Sequence, residues 1–371
     1  MPGVRSVLRP SVWVFYVVFV LEILFMISPA ALYFYGVYGP VLNVFHRWAA
    51  TTWLTQFFLP HFSETRSAVL NVLHWLAGPL MLAGVVLFLA GAIPVYWTKL
   101  RGGGAVTTGV YAWIRHPQYL GLALLGLGTL LLWPRFLVLV SYVTMLFLYA
   151  RLARWEEDQC LARFGESYRT YQSRTGMFLP PGWLPPIPRI LPPSGPRRAA
   201  AAFATFLLVV TASVLLGFGV RRYALSQVTG LYTPAAAVLS PVLLSEDELR
   251  TAYRTAAADA RVETALRFAA PTTLIIYVIP LGWHLPDLPL ERTPPPGGHH
   301  QPAGFDRRYY EVLFTQARTH VRRATGREIV LSAYGRDPIV VARVDISGPA
   351  VTAVETPPAH VRWGDIPTPM F

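Results

Sequence analysis

Apolar residues in the first 222 positions of this chain do not alternate with polar ones; they run on. Residues 12–35, 68–97, 119–133, 136–150 and 199–220 form five stretches almost without charge. About 20 apolar residues are what a helix needs to cross a hydrocarbon core. Only Pro134 and Arg135 separate the third run from the fourth, so the pair predicts a tight helical hairpin, each arm somewhat short for a full span. Residues 43–60 mix His46, Arg47 and several threonines with aromatics and read as interfacial. Arg5 and Arg9 precede the first run as they would in a signal peptide, but the run is too long and lacks a small-residue cleavage site, so it reads as a retained span.

From residue 223 the pattern changes. Residues 246–267 have helical spacing with charges throughout, 272–280 is a short β-branched apolar run, and 286–302 is a Pro/Gly-rich loop. A second amphipathic helix is predicted over 305–323. A β-hairpin is predicted from 329–333 and 339–344 around Gly335-Arg336-Asp337-Pro338. The expected architecture is therefore an all-α multi-span membrane core of about five transmembrane helices, including the hairpin, at 1–222. A C-terminal α+β extramembrane domain follows at 223–371. A rival reading makes 266–283 a sixth span, against which stand Arg267, Pro271 and Pro280.

Composition supports the membrane reading: 53% of the residues are hydrophobic, 14% are charged, and the mean hydropathy is +0.40. The net charge of +12 is unevenly spread, with 18 Lys or Arg against 6 Asp or Glu up to residue 222 and 14 against 14 beyond it. The excess lies in short flanks between apolar runs, the form of a positive-inside bias, not in a basic stripe with interleaved aromatics, so nucleic acid is not an expected partner. Arg5, Arg9, Lys99, Arg101, Arg115 and the cations of 151–198 fall on one side, leaving little more than Arg47, Arg66 and Arg135 on the other. Five spans then put the N-terminus in the cytoplasm and the C-terminal domain outside it, in a bacterial inner membrane or other cell membrane; Arg221 and Arg222 dissent mildly. Cys160 is the single cysteine, which excludes an intrachain disulfide and a thiolate cluster.

The chemically informative stretch is Arg115-His116-Pro117-Gln118-Tyr119-Leu120-Gly121. It reads as a helix start, with Pro117 at the first helical position and His116 at the cap. The helix end with Arg115 beside it suits a carboxylate. Gly121, Gly126 and Gly128 would let a neighbouring helix or a ligand come close. The hairpin brings the chain back at Arg151-Leu152-Ala153-Arg154-Trp155-Glu156-Glu157. Adjacent glutamates at a membrane helix end are costly unless paired or bound to a cation; the bland alternative is a solvated Glu/Arg cluster worth about 0–1 kcal/mol per pair.

In order, the chain reads Arg-His-Pro-Gln-Tyr-Leu-Gly, an apolar hairpin, Arg154-Trp155-Glu156-Glu157, Phe164-Gly165-Glu166-Ser167-Tyr168-Arg169-Thr170-Tyr171 and Phe178-Leu179-Pro180. This order, over a core at 107–180 and about a fifth of the chain, resembles the isoprenylcysteine carboxyl methyltransferase and phospholipid methyltransferase superfamily. The resemblance implies that S-adenosylmethionine is the cofactor and that Arg115, His116, Tyr119, Glu156 and Glu157 contact or organise it. Tyr168 and Tyr171 would close the pocket, and Arg154 would support or meet the acceptor. Arg154 and Glu156 are the expected catalytic pair, and no metal is required. Gly109 and Tyr111 precede the motif as in the family, with a turn glycine as the plainer account of Gly109.

The function so implied is an integral membrane methyltransferase acting on a lipid-like or lipidated acceptor, with membrane lipids around it. Two other classes stay open: a structural or assembly subunit that retains the fold and docks other membrane-complex subunits through 223–371, and a membrane reductase of related architecture. Among the remaining polar residues, Glu22 in the first run is divided between a structural partner and a pocket residue, His74 reads as a packing histidine, and His299 and His300 read as solvated.

Overall fold

A computed structural model describes residues 44–46, 48, 50–61, 64–101, 104–183, 195–283 and 304–357. The predicted first span, with Glu22, and the loop at 286–302, with His299 and His300, lie outside them. The described residues divide into two compact units, one within 69–220 and one of those up to 68 with those from 221 on.

The helical unit is built from α1 (Ala68–Leu100), α2 (Pro117–Leu132), α3 (Phe136–Phe164), α4 (Glu166–Arg174) and α5 (Pro196–Ser226). Among the described residues three helices, α1, α3 and α5, are long and apolar enough to cross a membrane, and α2 is a shorter apolar helix. The hairpin is present, but its second arm is not short. α3 runs for 29 residues and continues past the apolar stretch through Glu156 and Glu157, so those glutamates are carried on a rigid rod.

Small residues set the spacing between α1 and α2. A Cβ on Gly121 would stand 2.6 Å from the Phe88 amide nitrogen and 2.7 Å from the Gly84 carbonyl, and one on Gly128 would stand 2.7 Å from the Ala77 carbonyl. Ala77, Gly84 and Gly91 recur at seven-residue intervals on α1, as do Gly121 and Gly128 on α2, so the seam runs straight along both helices. At its end Gly91 faces Pro117 and Gln118, which brings the end of α1 beside the start of α2. Tyr142 of α3 donates to the Ala123 carbonyl at 3.2 Å, and the Phe136 ring packs tilted against Phe218 of α5, centroids 4.4 Å apart.

The second unit holds a six-stranded sheet in chain order, β1 (Gly230–Tyr232), β2 (Ala236–Leu239), β3 (Leu274–Pro280), β4 (Tyr309–Thr319), β5 (Ala333–Asp345) and β6 (Ala350–Glu355). Every neighbouring pair is antiparallel except β2 with β3. That parallel pair needs a crossover, and α6 (Glu246–Ala257) with α7 (Ala260–Ala269) supplies it. A capping box between Ser245 and Glu248 starts α6, and Leu249, Ala252 and Ala256 bury its apolar face.

Two expectations are corrected here. Residues 305–323 hold strand β4 where a helix was expected. The predicted hairpin at 329–344 is instead a short helix, α8 (Arg327–Ser332), followed by the single strand β5. Within 50–61, Thr52, Phe57 and His61 are buried, and Gln56 donates to the Ala333 carbonyl at 3.2 Å. The rival sixth span is the end of α7 and strand β3. Arg221, buried, donates from Nε to the Phe57 carbonyl and from Nη1 to the Leu331 carbonyl, each at 3.1 Å.

Candidate functional site

The approach to α2 is built by local turns. Gly109 adopts φ +63°, a left-handed conformation that favours glycine, and opens a 3-10 turn over Gly109–Ala112. Pro117 occupies the start of α2, with His116 at the cap. His116 makes no side-chain capping bond, so its imidazole is available elsewhere. It lies between the two glutamates of α3, with Nδ1 3.5 Å from Glu156 and Nε2 3.3 Å from Glu157.

The glutamates differ in surroundings. Glu157, its side chain 10% exposed, accepts from Arg115 Nε at 2.6 Å and from Gln172 Nε2 at 3.1 Å, besides facing His116. Glu156, 41% exposed, accepts the Tyr119 hydroxyl proton. Tyr119 in turn stacks between His116 and Tyr149, with centroids at 5.6 and 5.0 Å.

After α3 the chain turns at Gly165, φ +58°, and α4 lays Tyr168, Tyr171 and Gln172 back over the site. Tyr171 donates to the Tyr111 carbonyl at 2.7 Å. The segment after α4 then clasps the approach to α2. Ile114 and Gly176 form a parallel bridge, and the amides of Arg115 and His116 donate to the carbonyls of Gly176 and Met177 at 2.9 and 3.1 Å. Arg115 Nη1 reaches the Gln172 carbonyl at 3.1 Å and the Thr175 carbonyl. Gly176 is required by space, because a Cβ there would stand 1.6 Å from the Leu179 carbonyl.

These elements line an open cavity of about 610 Å³. Of the residues expected from the sequence, Arg115, His116, Tyr119, Glu156, Tyr168 and Tyr171 line it. Glu157 does not line it and instead holds Arg115, His116 and Gln172 together from behind. Arg154 is exposed and outside the lining, and His74 on α1 is likewise outside it. Gln118, quoted in the motif without a role, Cys160, read as an incidental thiol, and Arg163, given no role, also line the cavity. Cys160 and Arg163 follow Glu156 at i+4 and i+7, the spacing of one helix face; that signal was present. Burial pushes the phenols of Tyr111 and Tyr168 up, so both are neutral hydroxyls.

Burial lowers the His116 imidazole, but hydrogen bonds and charge from Glu156 and Glu157 outweigh it and the net shift is upward from 6.5. A raised value in the folded state means that His116 adds its full stability below about pH 6.5, the unfolded value. That contribution is lost as pH rises through the folded value. We therefore expect the stability difference between the wild type and His116→Gln, followed by thermal unfolding in detergent, to be largest in mild acid and to shrink in alkali. A difference that stays flat with pH would show that the imidazolium is not held by the glutamates.

Residues 74–163 match the Isoprenylcysteine carboxyl methyltransferase (ICMT) family. The Protein-S-isoprenylcysteine O-methyltransferase of Saccharomyces cerevisiae is 40% identical over 77 residues, 20% of this chain and 32% of that protein. Its Homo sapiens namesake is 38% identical over 76 residues, 20% of this chain and 27% of that protein. The Methanethiol S-methyltransferase of Pseudomonas deceptionensis is 33% identical over 128 residues, 32% of this chain and 47% of that protein. The chain thus spans about a third of the first two relatives or less, and about half of the third. No solved structure matches it. Over 74–163, where the family match and the cavity-lining residues of α2 and α3 coincide, the chain is similar to the isoprenylcysteine carboxyl methyltransferase family.

Proposed function

We propose that this chain is an integral membrane S-adenosylmethionine-dependent methyltransferase acting on a lipid-like or lipidated acceptor. The observation that carries the reading is the convergence of Glu156, Tyr119 and His116 on one cavity, with Glu157 holding Arg115 and His116 in place behind it. The donor set fits the cofactor. Glu156 supplies the negative charge that an ammonium or sulfonium needs, Tyr168 and Tyr171 offer aromatic walls, and about 610 Å³ is within the range of small-molecule sites.

When bound, the cofactor supplies a methyl group made electrophilic by the sulfonium. The chain's own work is to align the acceptor with that methyl and to keep water away. A carboxylate acceptor attacks as it stands. For a thiol, amine or phenol the proton has to leave, and Glu156, on the cavity wall, is the carboxylate placed to take it. An acceptor with a lipid tail gives a reason for building the site on membrane helices, and we place the cavity on the cytoplasmic side, where the loop cations gather.

Calorimetric titration of the detergent-purified full chain with S-adenosylhomocysteine tests the reading, with saturable binding as the expected result. A well-folded protein that binds none would move the assignment to a second reading, an assembly subunit that docks through 223–371. One observation favours that alternative: the sheet and its helices have a buried core of their own, from Ala237 and Val238 to Phe314 and Val344.

A further inference from the structure

Two guanidinium groups line the cavity, and their engagements differ. Arg115 is tied by Glu157 and by the carbonyls of Gln172 and Thr175. Arg163 makes no hydrogen bond or ion pair among the described residues. Its guanidinium carbon lies 5.2 Å from the centroid of the Phe164 ring, and both side chains line the cavity. An aromatic ring has no lone pair, so this contact takes up none of the guanidinium's N–H donors in an ordinary hydrogen bond.

Position adds to this. Glu156, Cys160 and Arg163 follow one face of α3, and seven residues at about 1.5 Å each put Arg163 roughly 10 Å along the axis from Glu156. Glu156 is the cavity's one lining carboxylate among the described residues and already accepts from Tyr119. The wall is therefore polarised, with an anion toward one end and an unengaged cation toward the other. An arginine in the last turn of a helix complements the helix dipole. That accounts for the charge on α3 but not for its place in the lining.

We propose that Arg163 is the anion-recognising residue of this cavity and takes a carboxylate of a bound ligand. The inference rests on the methyltransferase reading, which offers two sources for that group: the amino-acid carboxylate of the cofactor and an acid group on the acceptor. A charge-assisted hydrogen bond at a partly exposed site is worth roughly tenfold in affinity.

The test is calorimetry on the full chain in detergent, comparing the wild type with Arg163→Gln and Arg163→Lys. The ligands are two pairs: S-adenosylhomocysteine with 5′-methylthioadenosine, which lacks the amino-acid portion, and an N-acetyl-S-prenylcysteine with its carboxamide. The expected result is that Arg163→Gln weakens at least one of the two acids by about tenfold or more, that Arg163→Lys recovers part of the loss, and that the neutral counterpart is unaffected. Loss confined to S-adenosylhomocysteine assigns the cofactor carboxylate, and loss confined to the prenylcysteine assigns the acceptor. Unchanged binding of both acids overturns the inference, as does equal weakening of the neutral ligands, which would mark a disturbed cavity. A wild type that binds no S-adenosylhomocysteine overturns the methyltransferase reading and this inference with it; binding that is equal in the wild type and Arg163→Gln for both acids overturns this inference alone.

Discussion

Glu157→Gln is expected to weaken S-adenosylhomocysteine binding by about a hundredfold or more while the helical hairpin stays folded. Glu157 does not line the cavity, so the effect runs through the residues it holds. Its carboxylate accepts from Arg115 and Gln172 and faces His116, and the Arg115 and Glu157 side chains are 11% and 10% exposed. Glutamine keeps the shape but turns an NH₂ toward one of these donors and removes the counter-charge. Breaking a buried pair by taking one partner costs about 3–5 kcal/mol, so Arg115 and His116 must move or draw in water, and both line the cavity. Glu156→Gln is a contrasting variant, since Glu156 sits on the wall and is more exposed. Its loss should lower affinity for S-adenosylhomocysteine, whose ammonium it would face, without shifting the melting temperature much. Calorimetry with circular dichroism on both variants separates the roles; unchanged affinity in Glu157→Gln would sink the assignment of a positioning role.

Gly121→Leu should prevent the helical unit from packing, with a loss larger than the ~1–3 kcal/mol usual for an overpacked core. The clash is with backbone, because the first added carbon alone would meet the Phe88 amide and the Gly84 carbonyl, so no rotamer relieves it and α1 must move away from α2. The reciprocal change at Gly84 should behave alike, since a Cβ there would stand 2.5 Å from the Leu125 amide nitrogen. Gly78→Leu on the same helix is the control, because nothing lies within 4 Å of a Cβ at that position. Size-exclusion profiles and thermal unfolding in detergent would report the difference. A Gly121→Leu protein as monodisperse and stable as Gly78→Leu would refute the seam.

The parts of this molecule that were legible in sequence are those whose physics is local. Pro117 after His116 marks a helix start, and an apolar run broken by Pro134 and Arg135 marks a hairpin; both are in the structure. α3 is longer than the apolar run 136–150 by which the arm was judged short, because a helix leaving a membrane need not stop where its apolar run does. Strand β4 was missed for a different reason. Lying between β3 and β5, it is buried on both faces from Tyr310 to Thr315, so the alternation that reveals a half-exposed strand is absent. Gly335 and Pro338 were read as a turn, yet β5 runs through them, with irregular register against β4 between Phe314 and Thr315 and between Arg318 and Thr319; such bulges accommodate residues that break a regular ladder. In the site, it was legible that the motif residues of α2 and α3 would meet at one end of the hairpin. The Gln172 and Thr175 contacts to Arg115 join positions about 60 residues apart, and no periodicity reports them.

The bridge between Ile114 and Gly176 also orders events in time. A growing chain makes α1, the turn at His116 and the whole hairpin before it makes Gly176 and Met177, whose carbonyls receive the amides of Arg115 and His116. Until those residues leave the ribosome the two amides lack their partners and the Arg115 side chain lacks the Thr175 carbonyl. A nascent chain halted just after α3 would therefore hold both glutamates without the cavity-lining tyrosines of α4 and without the clasp that fixes Arg115.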